Sequence, residues 1–272
     1  MKKLMILGAA VLSGAVVFGI ESANVVGYKT FTLSTQYTLI GICFDGIGSS
    51  GLTLDEIAPY SEGNGMTKAY LDSNADNIQV MGEDGSYKNY FLSNGQYGKG
   101  GASYNAALDG KWLKDAGVAC TDTVQPGQAF WYVSQKAATT PHTITIAGQV
   151  LMTAETAAKA CSTTYTLIAN PYAVAVPLNG GVVTTGATKA YLDSNADNIQ
   201  VMGEDGKYTN YFLSNGQYGK GGASYNADLD GKWLKDAGVA CTDTIPVGGA
   251  FWYISQSKSN TVKLVNPLAD AE

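Results

Sequence analysis

The sequence predicts an all-β protein of two tandem, closely joined antiparallel repeats, each a β-sandwich or small barrel, behind a cleaved signal peptide. Three observations carry this prediction. The block 67–135 recurs at 188–256 with roughly eight changes, the internal self-similarity of a duplication. Short runs rich in β-branched and aromatic residues alternate with Gly, Asn, Asp and Ser turn signals about every 8 to 12 residues. Helical periodicity is almost absent along the 272 residues, which leaves sheets as the way to bury a core.

Taken in order, residues 1–23 place Lys2 and Lys3 before an apolar run ending at Phe18, the layout of a secretory signal. Cleavage is expected after Ala23, with Gly19 as the alternative. Neither site precedes a Cys, so no lipid anchor is expected. The apolar run is short and Gly-rich for a spanning helix, so no transmembrane anchor is expected after cleavage. Repeat 1 is assigned to 24–146 and repeat 2 to 147–272, each long enough for its own core.

Residues 24–33 and 35–44 read as strands, and 45–65 as a loop with one helical turn near Leu52–Ile57. Within the duplicated block, IQVM and SYKNYFL flank Gly82-Glu83-Asp84-Gly85, a hairpin signal. Asn94-Gly95 and Asp109-Gly110 are read as further turns, Lys111–Lys114 as a strand start, and Ala129–Val133 as a central strand apolar on both faces. His142–Ile146 alternates and runs into Ala147-Gly148-Gln149-Val150, which aligns with Val26–Lys29. The repeats therefore abut with almost no linker. Repeat 2 adds Ala-rich 153–160, read as a turn or two of helix. Asn170-Pro171 and Pro177 break the region before its block, and residues 261–272 supply a closing strand and tail.

Charged residues make up 15% of the chain, and the net charge of -6 moves to about -7 once Lys2, Lys3 and Glu21 are removed. No Lys/Arg cluster interrupts this acidic balance, which argues against nucleic acid and anionic membranes as partners. Four cysteines, Cys43, Cys120, Cys161 and Cys241, suggest disulfides in an exported chain, with Cys43–Cys120 and Cys161–Cys241 the preferred pairing and free buried thiols the alternative.

Asp72, Asn74 and Asp76, with Asp193, Asn195 and Asp197 in repeat 2, place oxygen side chains at positions 1, 3 and 5 of a calcium-loop-like run. Glu83 and Glu204 fall at position 12. Position 6 is Asn rather than Gly and a strand follows, so a polar turn bonded to its own backbone is the stronger reading. Calcium is the only cofactor suggested. Gly-rich 96–103 lacks the Ser/Thr and helix of a phosphate loop and reads as a turn. Tyr97, Trp112, Tyr218 and Trp233, beside amides and carboxylates, are the candidate glycan ligands, an aromatic-plus-amide set that suits sugar rings. His142 is the only histidine and has no copy in repeat 2, which excludes a duplicated His-dependent triad or zinc site.

ESANVVGY after the signal segment, the stretch ADNIQVMGEDGSYKNYF, and GQAFWYVSQ leading into TITIAGQV resemble a group of exported Gly- and aromatic-rich tandem-repeat proteins of diderm bacteria. The resemblance implies export and β architecture and adds no activity or site. The expected function is that of a non-catalytic exported protein acting through its surface: a cell-envelope or extracellular structural component or an adhesin. It would be extracellular, at the cell surface or periplasmic, with surface or matrix components, glycans or its own copies as partners. The alternative is a carbohydrate- or calcium-binding module with two equivalent sites. A polysaccharide-active enzyme comes last.

Overall fold

A computed structural model describes residues 25–269 apart from 116, 162–164, 204–205, 237 and 258; the segment expected to be a signal peptide and Glu204 lie outside the described residues. Repeat 1 contains β1 (Val26–Leu33), β2 (Tyr37–Gly41), β3 (Phe44–Asp45), β4 (Leu52–Thr53), α1 (Leu54–Ile57), β5 (Asn77–Met81), β6 (Tyr87–Tyr97), β7 (Ser103–Asp115), β8 (Val118–Ala119), β9 (Thr123–Val124), β10 (Ala129–Val133) and β11 (His142–Val150). Repeat 2 follows with β12 (Lys159–Cys161), β13 (Tyr165–Ala169), β14 (Val176–Pro177), α2 (Leu178–Gly181), β15 (Val182–Thr185), β16 (Asn198–Met202), β17 (Tyr208–Tyr218), β18 (Ser224–Asp236), β19 (Val239–Ala240), β20 (Thr244–Ile245), β21 (Ala250–Ile254) and β22 (Asn260–Leu264).

Each repeat builds a six-stranded antiparallel sheet, in the orders β2-β10-β5-β6-β7-β8 and β13-β21-β16-β17-β18-β19, and a three-stranded one, β1-β11-β3 and β12-β22-β15. None is a closed barrel. In repeat 1 the inward side chains of both sheets, among them Leu33, Ile144 and Ile146 from one and Ile40, Ile78, Trp112, Phe130 and Tyr132 from the other, meet in one buried cluster. That is a sandwich-like arrangement, with polar residues alternating outward along β11. β10 lies between β2 and β5, as its doubly apolar pattern predicts. The α1 turn forms where expected, closed by a capping box between Thr53 and Glu56.

Three local expectations are corrected. Asn94-Gly95 and Asp109-Gly110 are not turns; they sit inside β6 and β7, where Asn94 pairs with Asp109 and the register shifts on both sides. Their Gly residues have φ of 80° and 72° and serve bulges in a long hairpin. Its actual turn is the Gly-rich stretch at Lys99–Gly101. Residues 153–160 form no helix: Glu155 bridges to Val265 and β12 begins at Lys159, so contact with the C-terminal strand overrides Ala propensity. β11 runs unbroken through Val150, pairing with β1 and β3, so the 146/147 division falls within a strand.

The repeats meet through outer faces of their strands rather than a linker alone. Leu39 and Ala129 from repeat 1 pack with Leu167, Ala169 and Ala250 from repeat 2, flanked by Met81, Trp131, Met202 and Trp252. Leu39 corresponds to Leu167, Ala129 to Ala250, Met81 to Met202 and Trp131 to Trp252 in the aligned repeats. Two backbone bonds obey the same exchange: Gly41 N–H donates to Gly248 O at 2.8 Å and Ala169 N–H to Gly127 O at 2.9 Å. A contact in which each side uses the same patch is isologous, as in a two-fold dimer. Gly41 must be small here, since a Cβ would lie 2.7 Å from Ala169 Cβ and 2.6 Å from Gly249 O.

Candidate functional site

The Asp-rich loop does not gather its oxygens around one point. Asp72 and Asn74 lie in an exposed 3-10 turn, where Asp72 Oδ1 accepts the Ser73 N–H at 2.7 Å. Asn77 Nδ2 ties the turn down by donating to the carbonyls of Asp72 and Ala75 at 2.8 and 2.7 Å. Asp76 turns inward and is fully buried. Its carboxylate accepts the Tyr132 hydroxyl at 2.9 Å and the Gln135 N–H at 2.8 Å. Burial raises the Asp76 pKa, and bonds from Gln135, Tyr132 and Thr67 pull it partly back. Asp193 and Asn195 are likewise exposed, while Asp197 is buried and accepts from Tyr253, Gln256 and Asn260. For positions 1, 3 and 5 to share a cation, Asp76 would have to abandon its buried donors. Among the described residues no three His, Cys, Asp or Glu side chains cluster as a metal site.

Sequence reading missed this buried network. Its one visible signal is the repetition of Asp76 and Tyr132 as Asp197 and Tyr253. His142 occupies the place that Asn260 fills in repeat 2: its Nε2 is 4.0 Å from Asp76 Oδ2 and has no hydrogen-bond partner. Asn260 donates to both Asp197 and Tyr253.

The proposed disulfides do not form: all four cysteines are free thiols. Cys43 follows β2 and Cys120 follows β8, opposite edges of one sheet. Cys161 lies in β12 of the three-stranded sheet, whereas Cys241 follows β19 at the far edge of the six-stranded one. A disulfide needs Cα atoms within about 7 Å. Burial pushes the Cys43 thiol up to about 12 and raises Cys120, Cys161 and Cys241 as well, so none is held as a nucleophilic thiolate. In denaturant without reductant, all four cysteines should take up iodoacetamide, with intact mass as the readout. Two unlabelled residues would restore a disulfide.

The aromatic residues divide sharply. Trp112 and Trp233, candidates for sugar stacking, are core residues at 1% and 2% exposure. The Trp112 indole N–H donates to Ala58 O at 2.9 Å, and its ring meets Tyr132 edge-on. This corrects the ligand assignment: an indole enclosed on both faces cannot stack on a sugar. Tyr97 and Tyr218 are half-buried, packed beside Gly117 and Gly238.

Among tyrosines exposed in both repeats, the most open is instead Tyr104, with its copy Tyr225, both 62% exposed. Tyr104 lies against Gly95, where a Cβ would come within 2.6 Å of its ring. One ring face is thus seated on the β6–β7 hairpin. Around it stand Asn94 and Gln96, bonded to each other at 2.8 Å, and Asn105, which turns back to the Ala107 N–H. Repeat 2 reproduces the arrangement, with Tyr225 over Gly216 and Asn215 bonded to Gln217.

A polar cleft of about 450 Å³ lies between Glu83, Lys88, Tyr90, Asp122 and Gln128. The Tyr90 hydroxyl donates to Asp122 Oδ2 at 2.5 Å, and burial, followed by that carboxylate, raises the phenol pKa. Sequence reading placed Glu83 in a bare turn and did not foresee this cleft. Its lining differs between copies, since Lys88 becomes Thr209 and Gln128 becomes Gly249, whereas the tyrosine hairpin is kept. No protein-family model, curated protein or solved structure matches this chain.

Proposed function

We propose that this is an exported, non-catalytic protein that acts through its surface, with exposed apolar side chains on and beside the two β-hairpins β6–β7 and β17–β18 as its contact elements. One observation carries the reading: the same non-polar side chains stand in solvent in both repeats, to the same degree. Leu71 and Leu192 are each 42% exposed, Tyr104 and Tyr225 each 62%, and Val118 and Val239 66% and 67%. Burying such side chains against a partner stabilises the contact by about 25 cal/mol per Å² of apolar surface. Two copies on one rigidly joined chain would add avidity to each.

A hydroxyl-rich glycan is the ligand class that the Tyr104 platform suits, because an open ring face sits beside fixed amides able to meet hydroxyls. The double variant Tyr104→Ala, Tyr225→Ala should keep the thermal midpoint within about 2 °C, as exposed substitutions do. It should lose at least about tenfold in retention on the native cell surface and on a glycan array. Unchanged retention of the double variant, or a freely soluble native protein in cell fractionation, would count against the reading.

A further inference from the structure

The strand edges β1 and β2 open onto one groove, and its chemistry differs from that of the tyrosine platform. The Val150 N–H donates to Val25 O at 2.7 Å. With the register Val26↔Gln149 to Leu33↔His142, the odd-numbered residues of β1 bond to β11. Val26, Tyr28, Thr30 and Thr32 therefore turn their N–H and C=O groups to the other side. Among the described residues no strand pairs there, since β1 ends its sheet. In β2, the Ile42 N–H bonds to Gln128 O and the Ser134 N–H to Gln36 O, so Tyr37, Leu39 and Gly41 point away from β10.

A groove of about 460 Å³ runs along both edges. Four consecutive residues of β1, Lys29 to Thr32, line it, as do three consecutive residues of β2, Tyr37 to Leu39. Side chains alternate across a strand, so an unbroken run of lining residues means that the groove looks onto backbone edges. Its far wall belongs to repeat 2, at Met202 and residues 246–249.

At the counterpart edge in repeat 2 one carbonyl is covered. Phe31 pairs with Ile144, and Lys159 pairs with Val262 at the equivalent register. The Lys159 Nζ donates to Leu167 O at 3.0 Å, covering the edge carbonyl that corresponds to Leu39 O. Phe31 has no donor to do the same. Lys29 beside it makes no ion pair among the described residues; its ammonium rests 5.9 Å from the Phe31 ring centroid.

We propose that this groove is a strand-addition site, in which an extended peptide of another protein pairs with the β1 edge through Thr30 and Thr32. The peptide presents a carboxylate to Lys29 and apolar side chains to Phe31 and Met202. Backbone bonding supplies the affinity and the alternate side chains the selection. An eight-residue edge strand without proline offers unpaired N–H and C=O groups to another strand, and its only charge, Lys29, selects against a basic partner. The inference is independent of the glycan reading, because it uses neither Tyr104 nor Tyr225.

The probe is the synthetic peptide acetyl-Thr-Val-Thr-Glu-Thr-Val-Thr-Val-amide, whose Glu and Val side chains share one face as Lys29 and Phe31 do, titrated against the full chain with amide hydrogen exchange as the readout. Slowed exchange at Thr30 and Thr32 is expected, and N-methylation of alternate peptide nitrogens should abolish it. Phe31→Lys, which places a lysine where repeat 2 has Lys159 over the Leu167 carbonyl, should weaken binding at least about tenfold. Lys29→Glu should reverse the preference between the Glu peptide and its Lys analogue, and as a surface change it keeps the test valid if Phe31→Lys fails to fold. No protection at either amide, or equal binding of the N-methylated peptide, overturns the site. Self-association of the unliganded chain that Phe31→Lys abolishes would overturn the foreign-peptide assignment in favour of a second copy.

Discussion

Asp76→Ala should destabilise the chain by about 3 kcal/mol at neutral pH, because it removes the acceptor for a buried hydroxyl and two backbone donors. Tyr132 is fully buried and has no route to water once Asp76 is lost; an unmet buried donor costs about 1–3 kcal/mol. The Gln135 N–H belongs to an exposed residue and can find solvent, so its share is small. Relief of the carboxylate's own burial offsets part of the loss without reversing it. The sign of the pH dependence follows from the raised Asp76 pKa. A carboxyl group whose folded pKa exceeds its unfolded value contributes most below the unfolded value, about pH 4. That contribution fades as pH rises through the folded pKa. The gap between native chain and Asp76→Ala should therefore be widest in acid and narrow toward neutrality. Urea denaturation at pH 3.5, 5 and 7 checks this; a gap that widens with pH would refute the buried-carboxyl account.

The β class was legible because strand alternation and turn chemistry are local signals. The central position of β10 was legible for the same reason, since Phe130, Tyr132 and their neighbours leave no polar face. What failed depended on partners distant in sequence. Asn94-Gly95 has turn chemistry, yet pairing with Asp109 and seating of Tyr104 on Gly95 make it a bulge. Asp76 shares a run of acidic and amide residues with Asp72, and only the 3-10 turn between them sends one into the core and leaves the other in water. The two-fold exchange between repeats could not be read either. It rests on which outer faces meet, and Leu39, Gly41 and Ala129 look like ordinary strand residues until Leu167, Ala169 and Ala250 are set against them.

The aromatic residues separate most plainly under a second substitution. Trp112→Ala should cost about 3–5 kcal/mol, the range for emptying a buried large aromatic site, and it also strips the Ala58 carbonyl of its indole donor. Trp233→Ala should fall in the same range, since Trp233 is equally buried and meets Tyr253 edge-on at 6.3 Å. Tyr104→Ala touches only one side of an open ring and should change stability by less than about 0.5 kcal/mol. Binding measured per folded molecule inverts this order. The tryptophan variants should retain it wherever they remain folded, because no ligand reaches an indole enclosed by Ala58, Tyr132 and the core. The tyrosine variants should lose it. Denaturant midpoints paired with cell-surface retention on the same preparations decide the matter: a Trp112→Ala chain with an unchanged midpoint and lost retention would return the ligand site to the tryptophan.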